Sequence, residues 1–231
     1  MKVPYSVEWT EERETIGLKL NSEKEVEVRS PVELDIEDIE ETLDKKKPWI
    51  LEKINRIEDE TWPPKSKEFL SGEKLLYSGR RYLMKVESGS ETKVEFDGEK
   101  FQITSKNYTE DHERRKEVAR AVRDWYQQRA TERLVSRTYS LSQEFGEEPR
   151  SVETTDYENK WGQNKSGNIS LHWRLIMAPQ EIQDYVIAHE LCHLKVNDHS
   201  DRFWNKLNSV IPDYERIREW LRMNGQKLTI N

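Results

Sequence analysis

Pro179-Gln180-Glu181-Ile182-Gln183-Asp184-Tyr185-Val186-Ile187-Ala188-His189-Glu190-Leu191-Cys192-His193-Leu194 spells a helix that is apolar on most of its sides and carries a proline at its first turn. Such a helix belongs inside a domain. Near its end stands His189-Glu190-Leu191-Cys192-His193, an H-E-x-x-H sequence. Four residues along a helix are about 400° of rotation and about 6 Å of rise, so the two imidazoles leave one face and can meet one ion. Burying two imidazoles and a carboxylate on an apolar helix is costly unless a charge offsets them. Neutral imidazole nitrogens suit Zn²⁺, which in catalytic sites takes three protein ligands and keeps a fourth position open. Glu190 is turned about 100° from His189 and can reach water at that position as an acid/base without ligating the metal.

The third ligand expected is His199, through a reversal over Val196-Asn197-Asp198 after a helix that ends near Lys195. Asn197 is the residue there most able to take a left-handed conformation. His172, on the polar face of the preceding strand, reads as a solvated or hydrogen-bonded histidine, with a place in the cleft as the second reading. Cys192 reads as a small core residue. Tyr214, Arg174 and Lys160 are three candidates to polarise a substrate oxygen opposite the metal, and the sequence does not choose among them. Phe203, Trp204, Trp220 and Leu221 read as core packing at helical spacing.

Working outward, Val118, Val122, Tyr126, Ala130 and Leu134 lie four apart and predict a long amphipathic helix after Asn107. Val152 to Tyr157 and Asn168 to Leu175 read as strands, the second alternating Ile169, Leu171, Trp173 and Leu175 with polar residues. Two short helices follow, Asp201 to Ser209 and Tyr214 to Met223. In the first half, Ile16 to Val28 predicts a hairpin through Asn21-Ser22 that ends near Pro31. A helix from Asp35 to Glu60, broken at Pro48, comes next. Four brief runs between Leu75 and Ile103, separated by Ser78-Gly79, Ser88-Gly89-Ser90 and Asp97-Gly98, predict an antiparallel meander. The expected organisation is α+β: a strand-rich region with one broken helix over 1–107, then a domain over 108–231 with the H-E-x-x-H helix beside a small antiparallel sheet.

The chain's 231 residues carry 38 Lys+Arg and 45 Asp+Glu, a net charge of −7. This mild acidic balance argues against general nucleic-acid binding without excluding a local basic surface, and the acidity sits in residues 1–60. A basic stripe from Arg114 to Arg137 on the long helix reads first as a solvated face with internal ion pairs and second as a substrate- or nucleic-acid-facing surface. The single cysteine excludes an intrachain disulfide and a multi-cysteine zinc site. No run approaches the roughly 18 apolar residues of a membrane helix, and the start lacks the apolar run of a secretion signal. A cytoplasmic protein with no membrane partner is expected.

Lys160-Trp161-Gly162, Gly167 to Ile176, Ala178-Pro179, Asp184-Tyr185-Val186, His189 to His193, His199-Ser200 and Phe203-Trp204 together resemble the YgjP-like metallopeptidase domain family, relatives of the SprT-like and WLM proteins. The resemblance is close over Glu117 to Arg222 and looser at Gly72-Glu73, Tyr77, Gly79 and Tyr82. It implies a zincin-like core, metal on His189, His193 and His199, and Glu190 as acid/base. The family's usual R-W-G-S-C stands here as Lys160-Trp161-Gly162-Gln163-Asn164, and its usual strand Asn is His172. Val196 stands where metzincins of the same histidine spacing carry a glycine. Three readings follow: a zinc metallopeptidase taking an extended peptide along the edge of the Asn168 to Leu175 strand, a zinc hydrolase of a nucleotide phosphoanhydride, and a protein- or nucleic-acid-binding module with structural zinc. The first is preferred.

Overall fold

The computed structural model describes residues 4–11, 13, 15–20, 25–59 and 67–230. Backbone proximity divides the chain into two units, Met1–Ser66 and Lys67–Ile230. In the first, the expected hairpin forms: β2 (Gly17–Leu20) runs antiparallel to β3 (Val26–Pro31), with Leu18 opposite Val28. Its expected Asn21-Ser22 turn lies outside the described residues. A further strand, β1 (Tyr5–Thr10), pairs parallel to β3 and leaves β3 in the centre. Val26 and Val28 alternate inward onto Ile39 and Ile50 of α1 (Ile36–Asp59). The break expected at Pro48 is absent from this 24-residue helix. Proline removes one ladder bond, but Ile39 and Ile50 on either side of it are held in one core, which keeps both halves in line.

The second unit begins with β4 (Lys74–Tyr77), β5 (Arg80–Gly89), β6 (Lys93–Phe96) and β7 (Lys100–Lys106), in the sheet order β4-β5-β7-β6. The expected tight turns at Ser78-Gly79 and Asp97-Gly98 are present, but the sheet is not a meander, because β5 and β7 pair in parallel with Met84 opposite Phe101. Strand β6 folds back on the outer side of β7 and leaves the inner edge of β7 to β5. That pairing puts Met84, Phe101 and Ile103, all buried, under α2 (Asp111–Phe145). The predicted ridge of α2 is buried as read: Val118, Val122, Tyr126, Ala130 and Leu134. Each large apolar side chain so covered contributes about 1.5–3 kcal/mol. Tyr126 also donates its hydroxyl to the Leu76 carbonyl at 2.6 Å, tying helix to sheet.

The core of the second unit spans both of its halves. The α2 ridge needs the inner face of the β4–β7 sheet, so Leu75, Tyr77, Met84, Phe101 and Ile103 lie in one cluster with residues of the C-terminal half. The arginines of α2 are largely engaged within this unit. Arg114 donates to the Glu68 and Phe69 carbonyls, Arg123 pairs with Asp156, Arg129 with Glu132, and Arg133 donates to the Tyr77 hydroxyl.

Three further strands, β8 (Ser151–Thr155), β9 (Gly162–Lys165) and β10 (Asn168–His172), form a sheet in the order β8-β10-β9. It is mixed, not antiparallel: β10 runs parallel to β8 and antiparallel to β9. The strand expected to reach Leu175 stops at His172, and the chain winds into a 3-10 turn, Trp173–Met177, whose apolar residues are buried. Then come α3 (Gln180–Cys192), α4 (Asp201–Val210) and α5 (Tyr214–Asn224). The described residues thus form a mixed α+β fold with five helices. Among them no helix is long and apolar enough to cross a membrane.

Candidate active site

Helix α3 is buried along Ile182, Tyr185, Val186, Ile187, Ala188, Leu191 and Cys192, as its composition demands. It is fastened to α2 by a two-pronged ion pair, Arg137 to Asp184 at 2.8 and 2.9 Å, a geometry that fixes position as well as charge. The helix ends at Cys192, earlier than expected, and His193 is its cap residue. Among the described residues the reversal to His199 uses no left-handed Asn197; positive φ outside glycine falls at Phe69, Ser78 and Ser166. Val196 is buried beneath this turn, and its carbonyl accepts from His193 Nδ1 at 2.9 Å.

That hydrogen bond sets a tautomer. A carbonyl only accepts, so the proton of His193 sits on Nδ1 and the Nε2 lone pair is free. His189 Nε2 and His199 Nε2 face each other at 3.1 Å. Two nitrogens on one tetrahedral zinc, each about 2.0–2.1 Å from it, stand about 3.3 Å apart. The three imidazoles offer ligand atoms that all lie within 4.8 Å of one another. Burial, with His193 and His199 beside it, pushes His189 down to about 3, and burial lowers His199 as well. Both rings are therefore neutral at pH 7, the form that ligates. The donor set fits a metal that takes three nitrogens.

Glu190 is buried, 6% exposed, beside this group. Burial pushes its carboxyl up to about 7, partly offset by a hydrogen bond from the Asn164 backbone and by the Lys160 charge. The Asn164 side chain donates to the Glu190 carbonyl at 3.0 Å, so β9 is stitched to α3 at this residue. Contact is closest at Gly162: a Cβ there would stand 2.7 Å from Glu190 Oε1 and 2.8 Å from its Cγ. Strand β9 is steered into place by a two-residue hairpin in which Ser166 and Gly167 both have positive φ, 53° and 89°, the turn whose twist matches paired strands.

A cleft of about 840 Å³ opens over His189, Glu190, His193 and His199. One wall is β9, an edge strand of its sheet, and Lys160 stands beside it. Of the three candidates for polarising a substrate oxygen, Lys160 lines the cleft; it is held by Gln163 Oε1 at 3.1 Å and lies over the Tyr157 ring. Tyr214 stacks on Trp204, and Arg174 lies over Trp173. Cys192 is fully buried and its thiol is pushed up to about 12, an inert core residue.

His172 is a buried histidine, 4% exposed, and does not line the cleft. Its ring stacks on Trp161 at 5.3 Å and its Nδ1 accepts from the Arg174 amide at 3.3 Å. Burial, then the Arg174 charge, lowers it from 6.5 to about 4. Below pH 6.5 the unfolded chain takes up this proton first, so stability from His172 is present above 6.5 and is lost as the pH falls toward 4. Thermal melts at pH 7 and pH 5 are expected to show a larger drop for the wild-type chain than for His172→Asn. Equal drops would refute this assignment.

The sequence-based reading of Phe203 as plain core was incomplete. Its ring, fully buried, touches all three imidazoles, with centroids 4.9, 4.6 and 4.8 Å from His189, His193 and His199. Gly162 was also missed as a contact of Glu190, although a glycine inside a strand is itself a sign of close backbone approach.

In comparisons with known proteins, the family model for the YgjP-like metallopeptidase domain matches residues 14–224. Among solved structures, the crystal structure of the metallopeptidase zymogen of Pyrococcus abyssi abylysin is similar at 22% identity, covering 41% of this chain and 92% of that chain, with a TM-score of 0.34. No curated protein matches. With nearly its whole length matched, the chain belongs to the YgjP-like metallopeptidase domain family.

Proposed function

We propose that the chain is a zinc-dependent peptidase with a zincin-like C-terminal domain, in which His189, His193 and His199 hold the metal and Glu190 is the general base. The observation that carries this reading is the convergence of three imidazole nitrogens within 4.8 Å, beside a buried carboxyl, under a cleft bordered by a free strand edge. Zinc bound there would supply Lewis acidity and depress the pKa of water toward about 7. Glu190 takes a proton from the attacking water on its carboxylate and delivers it to the departing amine. Burial raises the Glu190 carboxyl, and a bound metal's charge opposes that by favouring the carboxylate, the form that accepts the water proton. Lys160, on the cleft wall beside Glu190, is the cation placed to hold the developing negative charge on the substrate oxygen.

The strand edge proposed for an extended peptide is that of β9, because β10 is paired on both sides and offers no free ladder. A free edge recognises backbone amides, which favours a peptide over a nucleotide. The engagement of the α2 arginines within their own unit likewise favours the peptidase over a nucleic-acid module. The test is zinc content and peptide hydrolysis for the wild-type chain and for His199→Ala. About one zinc per wild-type chain with cleavage of a casein-like peptide, and both reduced in the variant, is the expected result. A wild-type chain that takes up no zinc would refute the reading.

A further inference from the structure

The three histidines are held in three different ways. His189 is carried by the buried helix α3, and its Nδ1 is buried with no hydrogen-bond partner among the described residues. His193 is oriented by the Val196 carbonyl on its Nδ1. His199 is exposed, lies in the connection between α3 and α4, and has no protein hydrogen bond on Nδ1 among the described residues. Its one hydrogen-bond contact is through Nε2, the atom that would ligate. An imidazole on a surface connection has several rotamers open to it, and only some of them aim Nε2 at the other two rings.

What faces His199 is an indole. Trp204, in the first turns of α4, stacks on the His199 ring with centroids 5.6 Å apart and planes 30° apart. The indole is itself held from α5: the Tyr214 ring lies 5.2 Å away at 17°, and the Arg218 guanidinium lies 5.4 Å from the indole centroid. Beyond this, the Ser200 hydroxyl donates to the Asp198 carboxylate at 2.6 Å, a bond that brackets His199 along the chain.

We infer that Trp204 is a positioning residue for the metal site: its flat face, anchored by α5, does for His199 what the Val196 carbonyl does for His193. This rests on the zinc reading above. It extends that reading from the ligands to the residue that orients the third one, by ring stacking in place of a hydrogen bond. Residues that orient ligands from behind typically set metal affinity by about 10–100-fold.

The experiment compares Trp204→Phe with Trp204→Leu in the full chain. Both are apolar and smaller than Trp, but only Phe keeps a ring to stack. Zinc affinity is read by competition with a chromophoric chelator, with no substrate present. Trp204→Leu is expected to bind about 10–100-fold more weakly than the wild-type chain, with Trp204→Phe clearly closer to wild type. The Trp204 ring also lies edge-on to His189 at 6.3 Å between centroids, so the route through His199 is tested directly: in a His199→Ala background the same Trp204→Leu change is expected to alter zinc affinity by less than about twofold. Retained affinity in Trp204→Leu, equal losses in Phe and Leu, or a loss that persists without His199 would each overturn the inference while leaving the zinc site standing. A wild-type chain without zinc affinity would overturn the zinc reading and this inference with it.

Discussion

Glu190→Gln is expected to lower peptide turnover by about 10²–10⁴-fold while leaving zinc content and the melting temperature near those of the wild-type chain. Glutamine has the same shape and can occupy the same space against β9. The hydrogen bond from the Asn164 side chain goes to the backbone carbonyl of residue 190, which the change does not touch. What is lost is the ability to accept a proton from water and hand it on. The loss should therefore appear in kcat far more than in KM, because Glu190 is assigned to the reaction and not to substrate binding. Undiminished kcat in a preparation free of other peptidases would remove Glu190 from its assigned role and with it the proposed mechanism.

Gly162→Ala is the second large effect. A methyl group at this position would meet Glu190 Oε1 at 2.7 Å and Cγ at 2.8 Å, closer than such atoms approach, so one side must move. Strand β9 is poorly able to do so. It is paired with β10 along its length, closed by the Ser166-Gly167 turn, and tied to α3 through Asn164, whose Oδ1 also accepts the Gly167 amide at 3.0 Å. The Glu190 side chain, with free torsions, is what yields. A displacement of about 1 Å in a general base is enough to cost about 10²-fold in rate. The expected signature is a fall in kcat with zinc stoichiometry unchanged, since the methyl group points at Glu190 and at none of the three imidazoles among its nearest contacts. Full activity in this variant would mean that β9 gives way instead, and that the close approach does not position the base.

These two positions also mark the difference between what was legible and what was not. Glu190 could be nominated from the sequence because its angle to His189 and His193 is set by helix geometry alone. Gly162 lies far from Glu190 along the chain, and a one-residue signal in a short strand does not say which distant side chain presses on it. The same holds for Phe203 and Trp204. Their spacing marked them as the packed face of an amphipathic helix, and they are packed, but against the imidazoles of the site.

Local periodicity was enough for the α2 ridge, for the hairpins at Ser78-Gly79 and Asp97-Gly98, and for α3, because helix and hairpin bonds join residues near one another in the chain and leave a repeat of apolar positions. Strand partners leave no such mark. The parallel pairing of β5 with β7, the central place of β10 and the compact-unit boundary at 66/67 follow from which apolar faces are available to one another once the helices are placed. The sequence by itself therefore determined a buried helix with two imidazoles and a carboxylate at fixed angles, since one turn of helix settles those positions. Only the tertiary structure decided that His199 returns to them, that β9 and not β10 offers its edge to the cleft, and that an indole backs the third imidazole, because each of these depends on contacts between segments that no local pattern connects.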